Sequence, residues 1–129
     1  MMDINFISKI SLEYSKAREE NGSVEKLTTL NLLKHCAAEV VEATEAYTNY
    51  KNIKDMAEDL TSTDIDERWE SQEEPDTCEE YYQECVSNFS TELADVIMCV
   101  LIIAAHENID IEEALKACLD KNRKRADLN

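Results

Sequence analysis

The sequence predicts an all-α fold, and three observations support this prediction. Only one Gly and one Pro occur in 129 residues, so the residues that build the tight turns of a β-rich fold are scarce. Ala, Leu, Glu and Lys, which favour helices, are abundant. Apolar residues recur at the three- and four-residue spacings of helices. We therefore predict one domain over residues 1–129: a four-helix antiparallel bundle with an acidic insert between helices two and three.

Helices one and two follow from apolar spacing and end signals. Residues 3–20 carry an apolar face of Ile4, Ile7, Ile10/Ser11 and Tyr14, and Asn21-Gly22 ends the helix. Ser23 is a candidate N-cap for helix two, which we predict to run from Ser23 to about Lys51. The apolar face of helix two is predicted to contain Leu30, Leu33, Ala37, Val40, Val41 and Thr44.

The segment 52–77 is predicted to be an acidic insert or lid. Its part from Asp64 to Asp76 is acidic, poor in aliphatic residues, and contains the only Pro and the only Trp, Trp69. Base stacking is a minor alternative for Trp69, beside packing at the surface. Helix three begins after Pro75 and continues to about His106, where Asn108 breaks it. Its second half is apolar all round, which predicts a fully buried or interface helix.

Helix four is predicted over residues 111–125. Asp110 and Glu113 have the spacing of a capping box at its start. The predicted core stripe of helix four consists of Ile111, Leu115, Cys118 and Leu119.

Composition excludes several functional classes. A net charge of −16 argues against binding nucleic acid through its phosphates. The five Cys form no CxxC pair, and Cys36, Cys99 and Cys118 are expected to be reduced core thiols. The two histidines lack zinc-ligand spacing. The apolar run at 93–105 is too short to span a bilayer, and no signal peptide is visible. We expect a cytoplasmic protein without a membrane partner.

Two acidic pairs stand in unusually apolar surroundings. Glu39 and Glu42 lie in an Ala- and Val-rich stretch, and Glu92 and Asp95 begin the apolar half of helix three. On a helix, each i,i+3 pair shares one face with Cβ atoms roughly 5–6 Å apart. From residue 93 to residue 105, Asp95 is the only charged residue among thirteen. A carboxylate buried in such a run needs a partner.

The chemistry of the two pairs indicates a cation site. Two unit charges about 4 Å apart interact by about 4 kcal/mol at an effective dielectric constant of about 20, so four clustered carboxylates need a cation or protons. Oxygen ligands favour Mg²⁺ or Mn²⁺ over zinc. The end of helix four, from Lys121 to Arg125, is the most basic segment and could hold phosphate oxygens. Together these features suit the hydrolysis of a phosphoanhydride.

At these residues the chain resembles the MazG-like family of all-α nucleoside triphosphate pyrophosphohydrolases. The two acid pairs match the family's Glu-x-x-Glu pair followed by Glu-x-x-Asp on the next core helix. The Asn108-Ile109-Asp110 turn, the Glu-Glu-Ala after it and a Lys-Asn-x-x-Arg end are also similar to the family's sequences. The resemblance covers roughly residues 1–50 and 86–126.

The resemblance implies a MazG-like bundle that hydrolyses (deoxy)nucleoside triphosphates to the monophosphate and pyrophosphate, for house-cleaning or nucleotide-pool control. Mg²⁺ is the implied cofactor, with Mn²⁺ as a substitute, and Glu39 or Glu42 would orient or deprotonate the attacking water. A homodimer or homotetramer is also implied. The implied metal ligands are Glu39, Glu42, Glu92 and Asp95. The implied phosphate or sugar contacts are Lys121, Asn122 and Arg125.

Two departures from the family's pattern keep other interpretations open. The linker between the pairs, 43 through 91, has 49 residues, more than the family's usual spacing. Cys99 stands where related sequences often carry Tyr, while His35 lies one turn before Glu39 and could approach the site. The alternatives are a phosphoribosyl-ATP pyrophosphohydrolase and a non-catalytic acidic helical interaction protein.

Overall fold

A computed structural model describes residues 3–59 and 75–126. All regular structure in these two ranges is helical, which confirms the predicted all-α class. Residues 60–74, which include Trp69 and most of the predicted insert, lie outside the described residues. Within the described ranges the four helices are α1 (Ile4–Glu20), α2 (Thr29–Asp59), α3 (Pro75–His106) and α4 (Ile111–Arg125).

The chain divides into two compact units. We call Met1–Ala37 with Ile97–Asn129 the terminal unit, and Ala38–Val96 the central unit. The terminal unit holds α1, α4, the start of α2 and the end of α3, and its core is a cluster of Leu12, Leu32 and Ile102. The described part of the central unit consists of the rest of α2 and α3.

Helix α1 has the predicted bounds but a different buried face. Asp3 caps it by accepting a hydrogen bond from the Phe6 N–H at 3.2 Å, and Gly22 follows with a φ of 78°, which glycine adopts without strain. The predicted face included Tyr14, whose side chain is 63% exposed. The buried residues are Ser11, which the prediction included, and Ser8, Leu12 and Ser15, which it did not. The small side chains of the three serines allow close approach, and the Ser8 hydroxyl donates to the Leu101 carbonyl.

Helix α2 begins later and ends later than predicted. Ser23 does not start it, because its N–H and hydroxyl bind the Asn21 side chain. Thr28 is the residue that caps the helix, since its hydroxyl accepts a hydrogen bond from the Asn31 N–H at 3.1 Å. The helix continues beyond Lys51 to Asp59, and Lys51 pairs with Asp55 at 3.4 Å one turn further on. Residues 52–59, assigned by us to the insert, are therefore helical.

The buried face of α2 also differs from the prediction. Leu30 and Leu33 in the terminal unit, and Val40 in the central unit, are all about half exposed. Among the α2 residues whose burial is described, the buried positions are Leu32 and Ala43. Leu32 is buried because it meets Leu12 and Ile102, and Ala43 is small enough for close helix packing. Such contacts decide the buried face more strongly than the number of apolar residues. Glu39 lies between these two positions and is half-buried as a result.

Helix α3 has the predicted bounds, with Pro75 in its first turn and Asn108 at a positive φ of 57° just after it. It is not fully buried, because Leu93, Ile97 and Val100 are all more than 40% exposed. Its part from Glu79 to His106 is long and apolar enough to cross a membrane by length and composition, a test that core helices of soluble proteins also pass. The expectation that this helix forms an interface stays a prediction.

Helix α4 is attached through its N-terminal end. Asp110 accepts hydrogen bonds from the Glu113 N–H at 3.1 Å and from the Asn5 side-chain amide at 3.0 Å, which confirms Asp110 as the cap. The predicted core stripe is wrong in the described chain, because α4 has no buried residue and Leu115 and Leu119 are about half or more exposed. Cys118 is exposed as well, whereas Cys99 is buried as predicted and Cys36 is half-buried.

The core of the terminal unit should contribute most of the stability of that unit. Leu32→Ala is expected to lower the free energy of unfolding by about 2–5 kcal/mol, because it removes a buried side chain and leaves a cavity. Leu119→Ala, at a position 62% exposed, is the matched control and should change it by less than about 0.5 kcal/mol. Equilibrium denaturation in urea measures both, and equal effects would contradict the assignment of the core.

The cap at Asp110 should make stability depend on pH. The backbone hydrogen bond from Glu113, then the amide of Asn5, lower the Asp110 pKa from its ordinary 3.8. Its stabilising contribution is therefore fully present above that ordinary value and is lost as the pH falls through the lower folded-state pKa. Asp110→Asn, which keeps a cap oxygen, should lose less stability on acidification than the wild type. Thermal melts from pH 5 to pH 2.5 test this, with Asp120→Asn as the control that should behave like wild type.

Candidate metal centre

Antiparallel pairing of α2 and α3 positions the site within the central unit. The Tyr47 ring lies 5.4 Å from the Phe89 ring, centroid to centroid, and Tyr50 lies 5.6 Å from Phe89 and 6.1 Å from Tyr82. Residue numbers thus increase along α2 in the direction in which they decrease along α3, so the two helices are antiparallel. Offset and tilted ring pairs at these distances stabilise helix contacts. This aromatic layer fixes the register in which the two acid pairs meet.

Three carboxylates from the two helices converge in that register. One oxygen each from Glu39, Glu92 and Asp95 lies within 4.8 Å of the other two. The predicted face-to-face arrangement of the two acid pairs is therefore present for these three residues. They come from both predicted pairs, and the helix spacing within each pair supplies the common face.

Glu42 lies beside this group of three and is exposed. Its charge is one of those that raise the pKa of Glu92, so it acts on the cluster electrostatically.

The environment of Glu92 opposes its ionisation. Burial raises the pKa of the Glu92 carboxyl above its ordinary 4.5, and the charges of Glu42 and Asp95 raise it further. The Oε2 atom of Glu92 is inaccessible to solvent and has no hydrogen-bond partner among the described residues. In the absence of a cation, the folded protein therefore favours the protonated form of Glu92 more than an ordinary glutamate would.

A hard divalent cation fits this donor set. All the converging ligand atoms are carboxylate oxygens, which suit Mg²⁺, Mn²⁺ or Ca²⁺ better than the softer transition metals. A buried carboxylate oxygen without a hydrogen-bond partner is the atom that a cation would satisfy. Glu39, Glu92 and Asp95 would hold such an ion, with Glu42 next to it.

The other predicted contributors lie in the terminal unit. Lys121, Asn122 and Arg125 are exposed in the last turns of α4, and their contact with a substrate stays a prediction. His35 is exposed and Cys99 is buried in the same unit. Each has interactions of its own.

Sequence reasoning missed the aromatic layer. Tyr47 and Tyr50 are one turn apart on α2, and Phe89 precedes Glu92 by one turn on α3. That spacing was a usable signal, because aromatic residues three or four positions apart share one helix face and pair favourably with aromatic residues of a neighbouring helix.

Searches of known protein-family models, curated proteins and solved structures found no match for this chain. The fold and the site alone define the class of protein, which is an all-α chain with a carboxylate cluster between two helices.

The raised pKa of Glu92 predicts how the metal-free protein responds to pH. The folded state binds a proton more readily than the unfolded state, so stability should fall as the pH rises above 4.5 through the raised pKa. Glu92→Gln removes the charge and should be more stable than wild type at pH 7 in EDTA. Thermal melts at pH 5 and pH 7 measure both effects.

Glu45→Gln is the matched control for this experiment. Glu45 is an exposed acid on the same helix, so the variant loses the same charge outside the cluster. If Glu92→Gln melts no higher than Glu45→Gln at pH 7, the crowding of carboxylates around Glu92 is refuted.

Proposed function

We propose that this protein is a Mg²⁺-dependent pyrophosphohydrolase of nucleoside triphosphates. The single observation that carries the proposal is the convergence of Glu39, Glu92 and Asp95 within 4.8 Å. The acid pairs that supply these residues are the ones in which the sequence resembles the MazG-like enzymes. Mn²⁺ is expected to replace Mg²⁺, because both accept oxygen ligands in similar geometry.

The cluster suits the hydrolysis of a phosphoanhydride. A bound Mg²⁺ would neutralise phosphate charge and increase the acidity of water. Glu39 and Glu42 are the candidates to orient the attacking water and take its proton, and Glu39, Glu92 and Asp95 would hold the ion. Of the two candidates, Glu42 is exposed and Glu39 is half-buried, so Glu42 has easier access to solvent water.

The proposed substrate is a (deoxy)nucleoside triphosphate. Water adds at the bond between the α and β phosphates, and the products are a nucleoside monophosphate and pyrophosphate. Lys121, Asn122 and Arg125 are the proposed contacts to phosphate or sugar, since a cationic helix end complements the charge of the leaving pyrophosphate. The role in house-cleaning or nucleotide-pool control follows from the resemblance.

We also propose that the chain forms a homodimer or homotetramer. No large side chain is fully buried within the described residues, whereas many large apolar ones are more than 40% exposed. Association would remove that apolar surface from water.

Hydrolysis of a nucleotide panel tests the activity. The protein with Mg²⁺ should release pyrophosphate and monophosphate from at least one (deoxy)nucleoside triphosphate, and EDTA should abolish the release. Asp95→Asn should lower kcat/KM by at least a factor of about 100, because it removes a direct ligand where even outer-shell changes cost about 10–100-fold. Glu45→Gln is the control that should retain activity.

A metal titration separates the enzyme from an acidic interaction protein. Mg²⁺ at about 100 times its dissociation constant should stabilise the wild type by about 2.7 kcal/mol, and the Glu39→Gln/Asp95→Asn double variant should lose this effect. A folded wild type that gains no stability from Mg²⁺ and cleaves no triphosphate would instead support a non-catalytic interaction protein.

A further inference from the structure

The terminal unit brings a histidine and a cysteine close together. A ring nitrogen of His35, on α2, and the sulfur of Cys99, on α3, lie within 4.8 Å of one another. The Cys99 side chain is buried, whereas His35 is exposed. The pair therefore extends from the interior of the unit to its surface, and a dissolved cation has access to it from the imidazole side.

The core of the terminal unit holds these two residues opposite each other. Leu32 of α2 and Ile102 of α3 belong to one buried cluster. His35 lies three positions after Leu32, and Cys99 lies three positions before Ile102. Because α2 and α3 are antiparallel, these equal and opposite steps lead to facing positions one turn further along the contact. Packing of the leucine and the isoleucine thus also sets the distance between the imidazole and the sulfur.

Helix α2 supplies a third ligand beside His35. Glu39 follows His35 by four positions, and α2 is unbroken from Thr29 to Asp59, so the two side chains share one helix face. This is the spacing at which the helix of a zinc protease presents two metal ligands. The carboxylate of Glu39 therefore lies one turn from the imidazole that faces Cys99.

The three ligand types select a different cation from that of the carboxylate cluster. Imidazole nitrogen, thiolate sulfur and carboxylate oxygen all bind Zn²⁺, whereas Mg²⁺ prefers oxygen ligands. Three protein ligands leave the fourth tetrahedral position of Zn²⁺ to a water molecule. The Cys99 thiol releases its proton to solvent when its sulfur binds the metal. No zinc-ligand spacing is visible along the sequence, because His35 and Cys99 come from different helices.

We infer that His35 and Cys99, with Glu39 as the third ligand, form a binding site for Zn²⁺. The site goes beyond the proposed hydrolase and does not require its activity. Glu39 is also one of the three residues of the carboxylate cluster, and two divalent cations that share one carboxylate repel each other. Zn²⁺ should therefore weaken the binding of Mg²⁺ to the cluster. This last consequence alone rests on the proposed function.

Cobalt binding tests the site, because a thiolate ligand gives Co²⁺ an intense sulfur-to-metal charge-transfer band. The full chain, reduced and free of metal, should develop this band with Co²⁺, and Zn²⁺ should remove it at one equivalent per chain. Cys99→Ser should abolish the band. His35→Gln should weaken the binding of Co²⁺ at least about 100-fold, since even the loss of an outer-shell partner costs about 10–100-fold.

The chain offers matched controls for both variants. Cys36→Ser removes the cysteine next to His35, which lies about 100° around α2 from it, and Cys118→Ser removes an exposed cysteine on α4. His106→Gln replaces the other histidine. All three controls should keep the charge-transfer band. A folded wild type without the band, or a band that survives both Cys99→Ser and His35→Gln, overturns the zinc site.

X-ray absorption at the zinc edge leaves the ligands chemically intact. The Zn²⁺-loaded wild type should show one sulfur neighbour at about 2.3 Å, with nitrogen and oxygen neighbours at about 2.0–2.2 Å. A shell of nitrogen and oxygen alone would contradict ligation by Cys99. This measurement applies even if Cys99→Ser fails to fold, and the exposed position of His35 makes His35→Gln compatible with folding.

The outcomes separate the zinc site from the proposed function. Asp95→Asn removes a ligand of the carboxylate cluster and should keep the charge-transfer band, while Cys99→Ser should still gain thermal stability from Mg²⁺. Glu39→Gln should weaken the binding of both cations, and unchanged cobalt binding in that variant would contradict its place as the third ligand. A wild type that binds Co²⁺ through sulfur but gains no stability from Mg²⁺ refutes the proposed function and leaves the zinc site standing.

Discussion

Carboxylates in the contact between two helices are the constraint on which this structure depends. Helices usually pack through apolar side chains, and a carboxylate in that position is stable only with a proton, a cation or a hydrogen-bond network. The central unit has Glu39, Glu92 and Asp95 there, and Glu92 carries a buried oxygen without a hydrogen-bond partner in the described part of the chain. The packing of α2 against α3 is therefore coupled to what neutralises this cluster.

The surrounding residues keep the carboxylates in this position. The aromatic layer of Tyr47, Tyr50 and Phe89 lies one to two turns away and sets the helix register. Ala43 is buried one turn after Glu39, and its small side chain lets the helices approach closely. A bulky aliphatic residue at position 43 would separate the carboxylates, so a modest apolar change could affect the site as much as the loss of a ligand.

Helix positions were largely predictable from local signals, whereas buried faces were not. Asp3, Asn108 and Asp110 act on neighbouring backbone, so α1, α3 and α4 have the expected ends. Thr28 starts α2 in place of Ser23 because the Asn21 side chain engages Ser23. Faces depend on residues distant in sequence: Leu32 is buried because Leu12 and Ile102 meet it, while Leu115 and Leu119 have no such partner among the described residues. The acid cluster was predictable because a charged residue within an apolar run needs a partner, whichever face of the helix it occupies.

The most direct test of the account is a Mn²⁺ titration of the full chain followed by electron paramagnetic resonance, which counts bound ions without requiring a substrate. We expect saturable binding in the wild type, with Mg²⁺ competing for the same site, and loss of that binding in Glu92→Gln and Asp95→Asn but not in Glu45→Gln. Equal Mn²⁺ binding by all four proteins, or no saturable binding by the folded wild type, would contradict the proposal that the carboxylates between α2 and α3 form a metal site.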